Sequence, residues 1–294
     1  MYDKKCGCVI LNYNDYETTM KLVDEIRDYN ELDYIIIVDN LSTDDSYAKL
    51  SEIADSKIKV INSNKNGGYG YGNNLGVKYA FYKLGCELIL ISNPDVLFTE
   101  KTVNKMKECI NSNSDIGAVA PMQCDCNGNL IRDVAWCIPT ISQYIVSAEY
   151  LIGKYTKQFH YSTEFIKNSN NDKVEVECVP GSLLMVRAEA FLEVGGYDSD
   201  MFLFCEETTL AKKFKEQRWK TILLKNEQYI HYHSISLKRT IKSVTKQRKI
   251  LLKSRYIFIK KYLCANKWQL FFAKIWYLLT IWEYAIIQAI KKCM

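Results

Sequence analysis

The sequence predicts an α/β fold: a mostly parallel central sheet with helices on both faces, followed by a helical, partly amphipathic C-terminal tail. Two patterns carry this. Runs such as Cys8-Val9-Ile10-Leu11 and Tyr34-Ile35-Ile36-Ile37-Val38 are apolar at every position, as strands buried on both faces are, and segments of helical spacing separate them. Residues 268–290 are apolar almost throughout and follow a strongly basic stretch.

Taken in order, the strand over 8–11 is followed by helical spacing from Tyr16 to Tyr29, with Met20, Val23 and Ile26 on one side. The strand over 34–38 stops at Asp39-Asn40, residues 47–54 are helical, and Ile58-Lys59-Val60-Ile61 makes a third strand. A Gly/Asn-rich loop spans 66–74. A helix over 74–84 and a strand over 88–91 follow, ended by Ser92-Asn93-Pro94-Asp95. Ligands of such sheets bind beyond the carboxyl ends of the strands, so Asp39 and Asp95 are expected to line one crevice. Residues 122–178 show polar loops without a clear period. Order returns at Val179–Arg187, in Phe202–Glu207 leading into an amphipathic helix to about Arg218, in a strand over 221–224 and at His231–Ser236. The expected domain spans 1–237, with a nucleotide-binding half to about 105 and an acceptor-binding half over 106–237; the tail is 238–294.

A chain of 294 residues, 48% hydrophobic, can bury a large core, and only 13 Gly and 4 Pro exclude collagen-like and linker-rich chains. A mean hydropathy of −0.18 argues against a polytopic membrane protein. Eleven cysteines, an odd number in a long chain, do not make a disulfide scaffold. No C-x-x-C pair provides a zinc ribbon, so Cys6/Cys8 and Cys124/Cys126 are expected to be buried or idle thiols. The residues after Met1 lack the pattern of a signal peptide, and a reducing cytosol is the expected compartment.

Charge is uneven. Gln228–Trp282 holds twelve Lys or Arg and no Asp or Glu, so the rest of the chain carries −7 against a total of +5. Lys274 and Glu283 leave only eight uncharged residues between them, fewer than the roughly 20 of a spanning helix. The tail is therefore expected to lie in the interface of an anionic membrane, its Trp268, Trp276 and Trp282 at head-group level. The alternative is a helix packed on the domain or in a homodimer. No nucleic-acid partner is expected.

Four patterns can carry chemistry. Asp39 at a strand end can accept from a ribose hydroxyl or a base N–H, or form an Asx turn. Asn66–Asn74, with four Gly in residues 67–72, can bring backbone N–H groups to a diphosphate or form a plain flexible loop. Asn93-Pro94-Asp95 can present a carboxylate to a hard divalent ion or simply end a strand. Glu206-Glu207, with His231 and His233 downstream, can supply a general base and an imidazole ligand, or a solvated helix start.

The set VILNYN (9–14), IIIVDNLSTDDS (35–46), NGGYGYGNNLG (66–76), ISNPD (91–95), GSLLMVRAEAF (181–191), GGYDSDMFLFCEE (195–207) and HYHSIS (231–236) resembles inverting family 2 glycosyltransferases with the GT-A, Rossmann-like fold. It looks most like the bacterial rhamnosyltransferase-like branch that builds surface polysaccharides. The resemblance covers about 6–237. It implies that Tyr13 and Asp39 hold the nucleoside beside Leu11, and that Gly68, Asn73 and Asn74 approach the donor. Asp95 matches the last residue of the metal motif, with Asn93 in its first position. His231, five residues before Ser236, would be its partner for Mn²⁺ or Mg²⁺. Glu206-Glu207 matches an acidic pair whose second member is the general base, here Glu where Asp is common; Thr209 stands where a further acid is expected. Gly181, Ser182 and Asp198 fall on the acceptor side. The implied reaction moves a sugar, dTDP-rhamnose or a UDP-sugar being the donor, onto a saccharide or lipid-linked acceptor at the inner membrane face. Two other classes remain: a sugar-nucleotidyltransferase, against which Asn12–Glu17 lacks a Gly-rich basic loop, and a catalytically silent assembly partner, which Glu207 and Thr209 would suit.

Overall fold

The computed structural model describes residues 4–131, 133–148, 160–161, 165–166, 168–232 and 243–293. His233, Ser234 and Ser236 lie outside the described residues. Strands β1 (Cys6–Asn12), β2 (Tyr34–Asp39), β3 (Ile58–Asn62) and β4 (Leu88–Ser92) match the expected runs. They alternate with helices α1 (Tyr16–Ile26), α2 (Ser46–Ser51) and α3 (Tyr69–Leu84). Strand β5 (Val96–Leu97), helix α4 (Glu100–Ser112) and strand β6 (Ile116–Cys124) follow.

The periodicity of two explains why the strands are apolar throughout. Cys8, Ile10, Ile35, Ile37, Leu88 and Leu90 enter one core layer, beneath α1 and α4. Val9, Ile36, Val38, Ile89 and Ile91 enter the other, beneath α3. Fully burying one such side chain contributes about 1.5–3 kcal/mol, so each residue earns its place on one face or the other.

The second half adds strands β7 (Ala135–Trp136), β8 (His160–Tyr161), β9 (Lys173–Val176), β10 (Leu183–Arg187) and β11 (Lys220–His231). Helices α5 (Ile141–Val146), α6 (Ala188–Glu193), α7 (Glu206–Glu216), α8 (Val244–Lys261) and α9 (Lys267–Cys293) complete the described elements. The central sheet runs β3-β2-β1-β4-β10-β6-β11-β5, with β9 also on β11. β10 is antiparallel to both β4 and β6, while β11 is parallel to β6. The sheet is therefore mostly parallel, with β10, β5 and β9 reversed.

The order places a switch point between β1 and β4, where successive connections leave in opposite directions. A crevice opens there, beyond the carboxyl ends. Because β10 is reversed, its leading residues Gly181 and Ser182 reach the same edge, and so does the far end of β11.

The expected loop over 66–74 is shorter than its composition suggested. α3 starts at Tyr69, so Gly70 and Gly72 are helical. An added Cβ at Gly76 would overlap Val9 Cγ1 and stand 2.9 Å from Val38 Cγ2: glycine here lets the helix lie close on the sheet. Of the glycines in this loop only Gly68 has a positive φ, +88°, facing the Phe202 carbonyl.

A third cluster, with Tyr144, Met201, Leu252, Phe258, Ala273 and Tyr277, docks α8 and α9 on the domain. α9 buries Ala273, Tyr277 and Thr280, while Trp268, Phe272, Leu279 and Trp282 face outward. By length and composition Lys267–Gln288 is long and apolar enough to cross a membrane.

Candidate active site

Strand ends, the reversed start of β10 and the start of α7 surround one cavity of about 630 Å³. Leu11 and Tyr13 follow β1, Asn93 and Asp95 follow β4, Gly181 and Ser182 precede β10, and Gly68, Glu206, Glu207 and His231 complete the expected residues on its wall.

Asp95 and His231 meet: His231 Nε2 stands 3.2 Å from Asp95 Oδ1. Gln123 Nε2 lies 3.1 Å from His231 Nδ1, and Tyr229 donates its hydroxyl to Gln123 Oε1 at 3.1 Å. As placed, Gln123 leaves the Nε2 proton to point at Asp95. A turn of the amide by 180° would let Gln123 accept from Nδ1 and free the Nε2 lone pair for a cation. Among the described residues no group of three or more His, Cys, Asp or Glu could by itself hold a metal. An oxygen and a nitrogen donor converge here, suited to a divalent ion whose remaining positions go to ligand oxygens and water.

The acidic pair sits where the backbone is strained. Phe204 and Cys205 both have left-handed φ, 72° and 70°, immediately before α7. Neither is glycine, and such strain persists at sites where the surroundings enforce it. Burial pushes the Glu206 carboxyl well up, reinforced by the charge of Glu207, and Glu206 Oε1 is buried without a hydrogen-bond partner. Burial also raises Glu207, against the pull of the Gly181 N–H, which reaches Glu207 Oε1 at 3.4 Å. A proton acceptor with a raised pKa on a cavity wall is suited to general-base work.

Four expected residues lie off the cavity wall. Asp39 is fully buried; its carboxylate accepts from Asn12 Nδ2 at 2.9 Å and from Ser42 N and Oγ at 2.9 and 2.6 Å. Asn73 donates to the Tyr69 carbonyl inside α3, and Asn74 exchanges two 2.9 Å hydrogen bonds with the Tyr197 backbone. Both pin α3 rather than face the cavity, because the helix begins five residues earlier than 74. Asp198 accepts from Tyr262 Oη at 2.7 Å and from Lys261 Nζ at 3.1 Å, tying α8 to the domain. Burial pushes its carboxyl up, but the Asp200 N–H, Tyr262 and Lys261 together hold it below the ordinary carboxylate range.

Other wall residues were not singled out from the sequence. Asn40 lines the cavity and donates to Asn66 Oδ1 and the Gly68 carbonyl, fixing that loop; its place beside Asp39 at a strand end was an available signal. Gln123 is a lone amide in a wholly buried nine-residue strand, another readable signal. Trp136, Tyr144 and His160 come from the stretch without periodicity.

Residues 8–195 match the family described as Glycosyl transferase family 2. The chain belongs to that family. Among its curated relatives, the low-salt glycan biosynthesis hexosyltransferase Agl10 of Haloferax volcanii is 23% identical over 74% of this chain and 67% of its own. The N-acetylglucosaminyl-diphospho-decaprenol L-rhamnosyltransferase of Mycobacterium tuberculosis is 22% identical over 76% of this chain and 74% of its own. Among solved structures, GalNAc-T7 with UDP, GalNAc and Mn²⁺ superposes with a TM-score of 0.59 at 14% identity. That match covers 87% of this chain but spans only 50% of GalNAc-T7, and it supports the GT-A fold alone. The fold and family expected from the seven motifs are thus borne out.

Proposed function

We propose that this family 2 chain is an inverting, metal-assisted glycosyltransferase. Its donor is a nucleoside-diphosphate sugar, dTDP-rhamnose or a UDP-sugar. Its acceptor is a hydroxyl of a saccharide or lipid-linked saccharide in bacterial surface-polysaccharide synthesis. The observation that carries this reading is the convergence of Asp95, His231 and the half-buried Glu207 on one cavity.

The nucleoside would lie against Leu11, Tyr13 and Asn40, with Asp39 holding the adjoining loop and Asn93 bordering the donor. Asp95 and His231 would hold Mn²⁺ or Mg²⁺, in keeping with the Mn²⁺ of GalNAc-T7. When bound, the ion supplies positive charge against the departing diphosphate. Glu207 takes the proton of the acceptor hydroxyl. The hydroxyl oxygen bonds to the anomeric carbon from the face opposite the diphosphate, the bond to the phosphate oxygen breaks, and configuration inverts. Gly181 N–H orients Glu207, and Ser182, hydrogen-bonded to Tyr229 at 2.7 Å, stiffens the same wall. Thr209, where an acid was expected, is buried and donates to the Cys205 carbonyl at 2.7 Å. It faces away from the cavity, so this departure does not favour a silent partner.

The outward face of α9 would rest on the anionic inner leaflet, with the basic stretch before it meeting head groups. A helix tied sideways to the domain by Tyr277 is suited to lie in the interface rather than to span it.

The test is a thermal-shift panel of UDP, dTDP, GDP and CMP, each with Mn²⁺ and with chelator. A ligand at 100-fold its Kd stabilises the native state by about 2.7 kcal/mol. A metal-dependent shift with UDP or dTDP is expected. A flat panel on folded protein would sink the donor site.

A further inference from the structure

The cavity wall carries two kinds of chemistry: the carboxylates of Asp95, Glu206 and Glu207, and the cation of Arg255 with Tyr144, Leu203 and Leu251. Arg255 is half-buried on α8. Its Nη1 donates to the Tyr144 carbonyl at 3.4 Å and to Ser147 Oγ at 3.3 Å, and its guanidinium lies 4.9 Å from the Tyr144 ring centroid. Its Nε is buried without a hydrogen-bond partner, and no carboxylate of the described residues forms an ion pair with it.

This is a cation positioned by neutral groups only. Drawing an arginine out of water without an opposite charge is costly, and the cost is recovered when an anion arrives. The planar fork of a guanidinium matches phosphate oxygens, and the ring beneath it fixes the fork in place. Leu203, Leu251 and Tyr144 beside it are apolar, so the anion that fits also carries an apolar chain. α8 packs on α9, whose outer face exposes Phe272, Leu279 and Trp282, an apolar surface on the same helical pair.

We infer that Arg255 forms an anion subsite for the diphosphate of a lipid-linked acceptor. The inference rests on the glycosyltransferase reading and deepens it: the sugar to be modified lies towards Glu207, its diphosphate on Arg255 and its lipid beyond Leu251. The donor diphosphate belongs beside Asp95. Arg255 itself is held by Tyr144 of α5 and by Ser147 just after it.

The test uses the full chain and isothermal titration with farnesyl diphosphate, farnesol and inorganic pyrophosphate, each with and without saturating UDP or dTDP and Mn²⁺. Farnesyl diphosphate is expected to bind with the nucleotide in place. Arg255→Gln should weaken it about tenfold or more, and Arg255→Lys less, while farnesol binding stays equal in all three proteins. Nucleotide-induced thermal shifts, unchanged in both variants, show that the fold survives. The subsite is overturned if Arg255→Gln binds farnesyl diphosphate as the parent does, or if the nucleotide displaces it. It is equally overturned if pyrophosphate alone binds as tightly and with the same dependence on Arg255. Loss of every nucleotide shift in the parent overturns instead the donor-site reading on which the inference stands.

Discussion

His231 Nε2 and Asp95 Oδ1 lie 3.2 Å apart although 136 residues separate them in the chain. The sheet brings them together: β11 pairs antiparallel with β5, His231 opposite Val96, and Tyr232 N–H donates to the Asp95 carbonyl at 2.9 Å. The pair is therefore built into the backbone register, and replacing one side chain leaves its platform in place. Asp95→Asn should keep the fold but reduce metal-dependent turnover by about 100-fold or more, since it removes a charge opposite the diphosphate. Unchanged turnover with Mn²⁺ would remove the metal assignment.

Glu207→Gln tests the base. Loss of a positioned general base costs about 10²–10⁴-fold, so kcat should fall within that range while nucleotide binding persists. Because burial raises the Glu207 pKa, the carboxylate form is lost on acidification earlier than for an ordinary glutamate. In the parent, the acidic limb of kcat/KM should lie above the usual carboxylate range. A rate that is flat down to pH 5 would assign the proton to another group.

Glu206 predicts an effect of opposite kind, on stability. Its folded pKa is raised by burial and by Glu207. Above about pH 4.5 the unfolded chain ionises Glu206 while the folded chain keeps the proton. Stability is therefore present in full below the ordinary value and is lost as pH rises through the raised one. Glu206→Gln removes that loss, so its Tm should exceed the parent's at pH 8 by more than at pH 5. A variant less stable than the parent at pH 8 would show that the carboxyl is held by favourable contacts instead.

Glycines illustrate what could and could not be read in advance. Asp95 and the strand ends were legible because a strand apolar on both faces, stopped by polar residues, needs no tertiary information. Glycine density was not: it signals a phosphate loop and a close helix–sheet contact alike, and only the partner surface, Val9 and Val38, decides between them. Trp136, Tyr144 and His160 were illegible for a related reason. Their segment has no hydrophobic period, and their convergence depends on the β7–β8 pairing that sets Trp136 opposite His160 and on the docking of α8 against Tyr144. The expected consequence at Gly76 is specific. Gly76→Ala forces a methyl into β-branched side chains of the sheet and should lower stability by about 1–3 kcal/mol in denaturant unfolding, with nucleotide affinity retained in the folded fraction. A neutral or stabilising result would mean that α3 can lift from β1 without cost.

The tail offers the last test. Phe272 and Leu279 are exposed on the outward face of α9, 68% and 56%, seven residues apart and so on one stripe. Each would contribute about 1.5–3 kcal/mol on entering an apolar phase. Phe272→Glu with Leu279→Glu should therefore reduce cosedimentation with anionic phosphatidylglycerol vesicles at least tenfold, leaving Tm unchanged because neither side chain is in the core. The parent should bind phosphatidylcholine vesicles less well and should release from anionic ones as salt rises, because the lysines and arginines of residues 238–274 supply an electrostatic share that salt screens. Two results would count against the membrane. One is undiminished sedimentation of the double variant. The other is a parent that is dimeric by light scattering and becomes monomeric on substitution, which would give the apolar stripe to a second copy of the chain.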